Sequence, residues 1–123
     1  MEKPSERFQK AQEKLHEAGD ELCKPHEDVV AFVVCKNSVS AIENYLKGYL
    51  NTRGFETSDQ ESLEHLLNRC RMLDKRFNTV DIQAIDCKSK VGHNDYCDSV
   101  EKVSSCYYAA DELDTFLRRI DAI

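Results

Sequence analysis

The residues best placed for chemistry gather late in the chain. Lys88, Lys90 and His93 fall within six residues, in the polar stretch 87–95 (CKSKVGHND), directly ahead of a helix predicted to begin near Asp95. Unpaired backbone N–H groups and the helix dipole favour an anion such as phosphate at such a point. A solvated polar loop with an incidental histidine has the same composition, because an anion site also needs backbone convergence. A second basic set, Arg69, Arg71, Lys75 and Arg76, runs along a predicted third helix. Arg69 and Arg76, seven apart, share a face there, and Asp74 and Glu64 can neutralise part of the set. Charge runs on helices ordinarily form solvated faces, so this one gains meaning where it adjoins the 88–93 loop.

Other chemistries find less support. The six cysteines (Cys23, Cys35, Cys70, Cys87, Cys97, Cys106) contain no CxxC pair. Zinc would have to draw on Cys87, His93, Cys97 and Cys106. Nine residues on one helix turn Cys97 and Cys106 to opposite sides, so they cannot close one tetrahedral site. No metal and no cofactor is expected. No GxSxG, P-loop or HExxH occurs, and His16, His26 and His65 read as structural or surface residues.

The elements that must position these residues are helical. Glycine and proline together number six in 123 residues, too few for the turns of a sandwich or barrel. The length suits a single domain, residues 1–123, with 41% hydrophobic and 33% charged residues, as in folded globular chains. Phe8, Ala11, Leu15, Ala18 and Leu22 step by three and four and predict an amphipathic helix over about 5–23. Pro25 suits a helix start, and the pattern then continues unbroken, predicting one long central helix over about 26–52 closed by Gly54. Ser38, Ser40, Ala41 and Gly48 are small enough to let neighbouring helices approach it. Ser58 and Glu61 form a capping box for a third helix reaching about residue 76, and a short helical turn is expected around Asp81–Asp86. The last helix carries Val100, Val103, Tyr107, Ala110, Leu113, Leu117 and Ile120. The expected fold is all-α, an antiparallel up-and-down bundle of four long helices with one short extra helix.

Net charge is −6, so generic polyanion binding is disfavoured and any nucleic-acid contact must use a local basic patch. No apolar run approaches the roughly 20 residues of a membrane span, so no membrane partner is expected. The opening MEKPSERFQK carries no apolar signal segment, which points to a cytoplasmic protein.

Ser38-x-x-Ala41-x-Glu43-x-x-Leu46-Lys47, inside AIENYLKGYL, resembles the second-helix pattern of HEPN domains (higher eukaryotes and prokaryotes nucleotide-binding). Ser62-Leu63-x-x-Leu66-Leu67 is similar to the start of their third helix, and Tyr96 through Ala109-Ala110 to Leu117 to their closing helix. The resemblance spans about residues 5–121. It implies a small helical bundle, often dimeric, that binds nucleotides or RNA or accompanies a nucleotidyltransferase. Many members of that family are metal-independent ribonucleases with an Arg-x4–6-His motif, and the matching place here reads Lys88-x-x-x-x-His93. Lysine keeps the charge but lacks the planar fork that suits a pentacoordinate phosphate. The expectation is therefore a non-catalytic, dimeric binding module for a nucleotide, RNA or a partner protein. A ribonuclease using His93 and Lys88, and a purely structural interaction protein, are the alternatives.

The dimer has a candidate surface. Tyr45 and Tyr49 lie four residues apart beside Gly48 and Ala41, and the last helix offers Tyr107 and Tyr108. Tyrosines among small residues suit a two-fold interface, and they equally suit the edge of a bundle core.

Overall fold

The structure, a computed structural model, describes residues 4–82 and 100–123. Helix α1 spans Pro4–Leu22 and buries Phe8, Ala11, Leu15 and Ala18, the stripe that the spacing predicts. Helix α2 spans Ala31–Thr52 and is buried over most of its 22 residues, so it is the central element. Helix α3 spans Leu63–Leu73, and α4 spans Val100–Arg119. All regular structure among the described residues is helical, and the four helices pack as a bundle around one core. Among the described residues no helix is long and apolar enough to cross a membrane.

Helix α2 starts five residues later than the spacing predicts, and a distant residue explains why. Pro25 is extended (φ −51°, ψ 145°), and His26–Asp28 make only a single 3₁₀ turn. Glu21, from the last turn of α1, then accepts the Val30 N–H at 2.9 Å. That carboxylate satisfies one of the donors a helix start leaves open and draws Val30 into the extended N-cap conformation. The apolar run from Val29 to Val34 therefore straddles the boundary. At its other end α2 closes as predicted. Gly54 adopts φ +86°, its N–H donates to the Asn51 carbonyl (3.0 Å), and the Phe55 N–H donates to the Leu50 carbonyl (3.0 Å). Those two bonds are a Schellman closure, which needs a left-handed residue at Gly54's position.

Helix α3 is shorter than the predicted 58–76 at both ends. Half of the Ser58–Glu61 box forms: the Ser58 N–H donates to Glu61 Oε1 at 2.8 Å, while Ser58 Oγ accepts the Gln60 N–H at 3.1 Å in place of that of Glu61. It closes an isolated turn, because Ser62 Oγ is the actual cap and accepts the His65 N–H at 3.1 Å. At the far end Asp74 leaves helical geometry (φ −148°, ψ 113°) and caps a new 3₁₀ turn, Lys75–Thr79, by accepting the Arg76 N–H at 2.9 Å. A 3₁₀ turn thus occupies 75–79, where the spacing predicts the end of the third helix. Asp81 and Ile82 are not helical, and the rest of the turn expected at Asp81–Asp86 lies outside the described residues. The 3₁₀ turn is tied to the core by Phe77, whose ring sits 4.6 Å from that of Tyr49 and 4.9 Å from that of Phe116.

Candidate functional site

Along the apolar central helix runs a polar stripe. Asn37, Ser40, Asn44, Lys47 and Asn51 are spaced three and four apart, so they share one face of α2. All but Ser40 are buried, and Lys47 is only 1% exposed. Lysine is almost never buried this fully unless it is paired. The Lys47 ammonium donates to Asp59 Oδ1 at 3.1 Å and lies 3.7 Å from Glu43 Oε2. One turn earlier, Asn44 Oδ1 accepts from the Arg7 guanidinium at 3.2 Å, while Asn44 Nδ2 donates to the Ser40 carbonyl at 2.8 Å. Hydrogen bonding from Lys47, with the Lys47, Arg7 and Lys10 charges, holds the Asp59 carboxyl below the usual carboxylate range. Three cations from α1 and α2 therefore act on one loop carboxylate.

Helix α1 reaches this site because α2 has glycine at position 48. A Cβ built there would lie 2.7 Å from the Phe8 ring and 3.2 Å from Arg7 Cβ. Gly48→Ala is expected to push α1 outward at Arg7–Phe8 and to destabilise the chain by about 1–3 kcal/mol, the usual cost of overpacking. A denaturant melt checks this, and a variant as stable as the parent would contradict the close approach.

The residues singled out from the sequence are distributed differently. Arg69 Nη1 contacts both Glu61 oxygens (2.9 and 2.7 Å), and its Nη2 donates to the Glu56 carbonyl at 3.1 Å. Arg76 holds Asp74 through Nε (3.0 Å) and Nη2 (2.6 Å). Because α3 ends at Leu73, Arg69 and Arg76 stand on separate elements and share no helix face. Arg71 donates to the Phe77 and Val80 carbonyls (3.4 and 2.8 Å) and so fastens the 3₁₀ turn to α3. Lys88, Lys90 and His93 lie outside the described residues, as do Cys87, Cys97 and Tyr96. The three described histidines each face a carboxylate: His16 with Asp20, His26 with Glu101 and His65 with Glu61.

Tyr45 and Tyr49 are buried inside the chain, which leaves them no surface to offer a second copy. The Tyr45 hydroxyl donates to Asp114 at 2.6 Å, and Arg118 Nε donates to the same carboxylate at 2.9 Å. The Tyr49 hydroxyl donates to Asp74 at 3.2 Å, so each tyrosine of α2 ends on an aspartate held by an arginine. Burial, and then the Asp114 carboxylate, keep the Tyr45 phenol well above its ordinary range. Tyr107 is half-buried, and its ring lies 5.8 Å from that of Tyr108, which is 61% exposed. Cys35, Cys70 and Cys106 are buried, and burial pushes the Cys70 thiol up to about 12. Among the described residues no three His, Cys, Asp or Glu side chains converge on a metal position.

A groove of about 360 Å³ lies between Thr79–Asp81 and α4, with Leu113 and Phe116 in its lining. Asp81, Glu112 and Arg119 also line it, so its charged groups are mostly acidic and it does not suit an anion.

Several carboxylates share one electrostatic situation. Asp74 is held far below its usual range by the Arg76 side chain and N–H, and Glu21 is lowered by the Val30 N–H and Lys24. Burial works against Glu61, yet Arg69 and the Ser58 N–H bring it down as well. Folded-state pKa values below the unfolded ones contribute stability above the unfolded pKa, and this is lost as pH falls through the folded values. Melting temperature is therefore expected to be nearly level from pH 7 to about 5 and to fall steeply below about 4, the ordinary carboxylate range. Thermal melts across pH 7 to 2.5 check this, with Asp74→Asn flattening part of the acid limb.

Compared with known proteins, the chain matches no family model, no curated protein and no solved structure.

Proposed function

We propose that this chain is a HEPN-like binding module, non-catalytic and homodimeric, that holds a phosphate-bearing ligand, either a nucleotide or RNA. The observation that carries this reading is Lys47, a residue only 1% exposed whose hydrogen-bonded counter-ion is a loop carboxylate. A focused cationic site gives an acidic chain the local patch that phosphate binding requires. Among the described residues, the groups around Lys47 include Asp59, Glu43, Asn44 and Arg7, which orient and neutralise charge. The HEPN-like second-helix pattern ends on this same lysine. The homodimer rests on Tyr108, an aromatic ring largely in solvent beside Tyr107, which fits a two-fold contact.

The test combines a binding and a cleavage assay in EDTA with a light-scattering mass. Expected are a dimer mass and saturable binding of a nucleotide or single-stranded RNA, with no RNA cleavage. Cleavage lost on His93→Ala would replace this reading with the ribonuclease that Lys88 and His93 suggest. A monomer that binds neither ligand would leave a scaffold for a partner protein, such as a nucleotidyltransferase.

A further inference from the structure

The outward face of α4 is spaced as a seam. Its exposed residues Glu101, Ser105, Tyr108, Glu112, Thr115 and Arg119 alternate steps of four and three, the rhythm by which two helices lie side by side. The groove of about 360 Å³ borders this seam, because Glu112, Thr115 and Arg119 also line it, with Leu113 and Phe116 as its apolar wall. An engineered cavity of about 150 Å³ takes up benzene, so the groove has room for a tyrosine ring. Tyr108 stands on the same helix, one turn from Glu112 at the groove's edge. A knob and a hole on one helix suit a two-fold pair, since each copy then gives the one and receives the other.

The order of charges along the seam sets the direction of pairing. Two parallel copies would place Glu101 on Glu101, Glu112 on Glu112 and Arg119 on Arg119, all like charges. Antiparallel about the level of Ala110, the six positions map onto one another: 101 meets 119, 105 meets 115 and 108 meets 112. Glu101 then faces the partner's Arg119, Ser105 the partner's Thr115 and Tyr108 the partner's Glu112. A slip in one direction sets Glu101 against the partner's Glu112, and the opposite slip carries Glu101 past the end of the partner's α4. Repulsion and lost overlap thus disfavour the neighbouring registers. Glu112 and Arg119 form no ion pair with another described residue, whereas Arg69, Arg76 and Arg118 are each held by a carboxylate. Inside the fold Tyr45 and Tyr49 both donate to aspartates, and the partner's Glu112 offers Tyr108 the same kind of acceptor.

We infer that the groove receives Tyr108 of a second copy, delivered by antiparallel pairing of α4 about Ala110. In that pairing Glu112 accepts from the incoming hydroxyl, and Glu101 and Arg119 are paired at both ends. This rests on the reading of the chain as a homodimer and names the surface and register of the contact.

Sedimentation equilibrium of the full chain over a range of concentrations, at low ionic strength, measures the dimer dissociation constant, and circular dichroism checks the helicity of each variant. Tyr108→Ala is expected to raise that constant at least about a hundredfold, because two interface rings are lost per dimer. Arg119→Glu sets like charges against each other at both ends and is expected to raise it about tenfold. Adding Glu101→Arg to Arg119→Glu restores opposite charges and is expected to recover most of that loss. Adding Glu64→Arg instead makes the same charge change on α3, at an exposed position off the seam, and is expected to recover little of it.

A dimer that Tyr108→Ala leaves intact overturns the inference while the homodimer stands. Recovery that is absent, or equal with Glu64→Arg, overturns the antiparallel register. A parent chain monomeric at every concentration overturns both the seam and the homodimer. Binding of a nucleotide and of single-stranded RNA is measured on the same samples. A monomer that binds either one leaves the binding module standing without the seam. A seam dimer that binds neither keeps the inference and drops the phosphate-binding reading.

Discussion

Phe77→Ala is expected to destabilise the chain by about 3–5 kcal/mol, the range for truncating a buried phenyl ring. Phe77 has no solvent exposure and is held between the rings of Tyr49 and Phe116. It is also the one residue of the Lys75–Thr79 turn that is buried, so that turn docks through a single side chain. Among the described residues its backbone is held by Asp74 at the end of α3 and by Arg71, and these hydrogen bonds cannot replace a ring that fills core volume. A domain of this size loses roughly 3–6 °C per kcal/mol, which places the expected fall in melting temperature at about 10–30 °C. Phe77→Leu should lose much less, since it keeps most of the apolar volume. A Phe77→Ala chain melting within a few degrees of the parent would mean that the 3₁₀ turn does not depend on its ring.

How much of this was legible in the sequence follows from the range over which each feature is determined. The stripe Phe8, Ala11, Leu15, Ala18 and the closure at Gly54 are local patterns, and both stand where the spacing predicts. The start of α2 is decided instead by Glu21, nine residues upstream, and a run such as Val29–Val34 carries no local mark of that boundary. Ser58 and Glu61 satisfy the wording of a capping box, but Glu61 also binds Arg69, and the helix waits for Ser62. Helix signals identify candidates for a cap, and tertiary partners choose among them.

The site shows the same division more sharply. Arg69 and Arg76 were conspicuous because they cluster in sequence, yet each is held by a carboxylate of its own chain. Lys47 was inconspicuous because it stands alone among apolar neighbours. Its signal was present in the three- and four-residue spacing of Asn37, Ser40, Asn44, Lys47 and Asn51 on an otherwise apolar helix. A polar stripe on a central helix cannot face water, so its members must find partners inside the fold. Which partners they find, Asp59 from a loop and Arg7 from α1, depends on how the helices pack and is not written in any window of sequence.

Tyr49→Asp is expected to unfold the chain. Tyr49 is 4% exposed, its hydroxyl donates to Asp74, its ring packs on Phe77, and the Arg53 guanidinium lies over the ring at 5.7 Å from its centroid. Aspartate removes the ring from that stack and sets a carboxylate in the core next to Asp74, which is already held ionised by Arg76. A lost aromatic contact combined with a buried like-charge pair belongs to the rare changes costing more than about 4–5 kcal/mol. That is comparable with the 5–15 kcal/mol by which a typical domain is stable. Tyr49→Phe separates the two parts of the effect. It keeps the ring and loses only the hydroxyl, for about 1 kcal/mol. Tyr108→Asp makes the same charge change at a largely solvent-exposed position of α4 and is expected to leave the fold intact. If the proposed homodimer forms through Tyr108, that variant is a folded monomer. Far-ultraviolet circular dichroism and sedimentation on the three variants distinguish these outcomes. A Tyr49→Asp chain that stays helical and dimeric would move Tyr49 out of the core, and with it the packing that holds Phe77 and Asp74 in place.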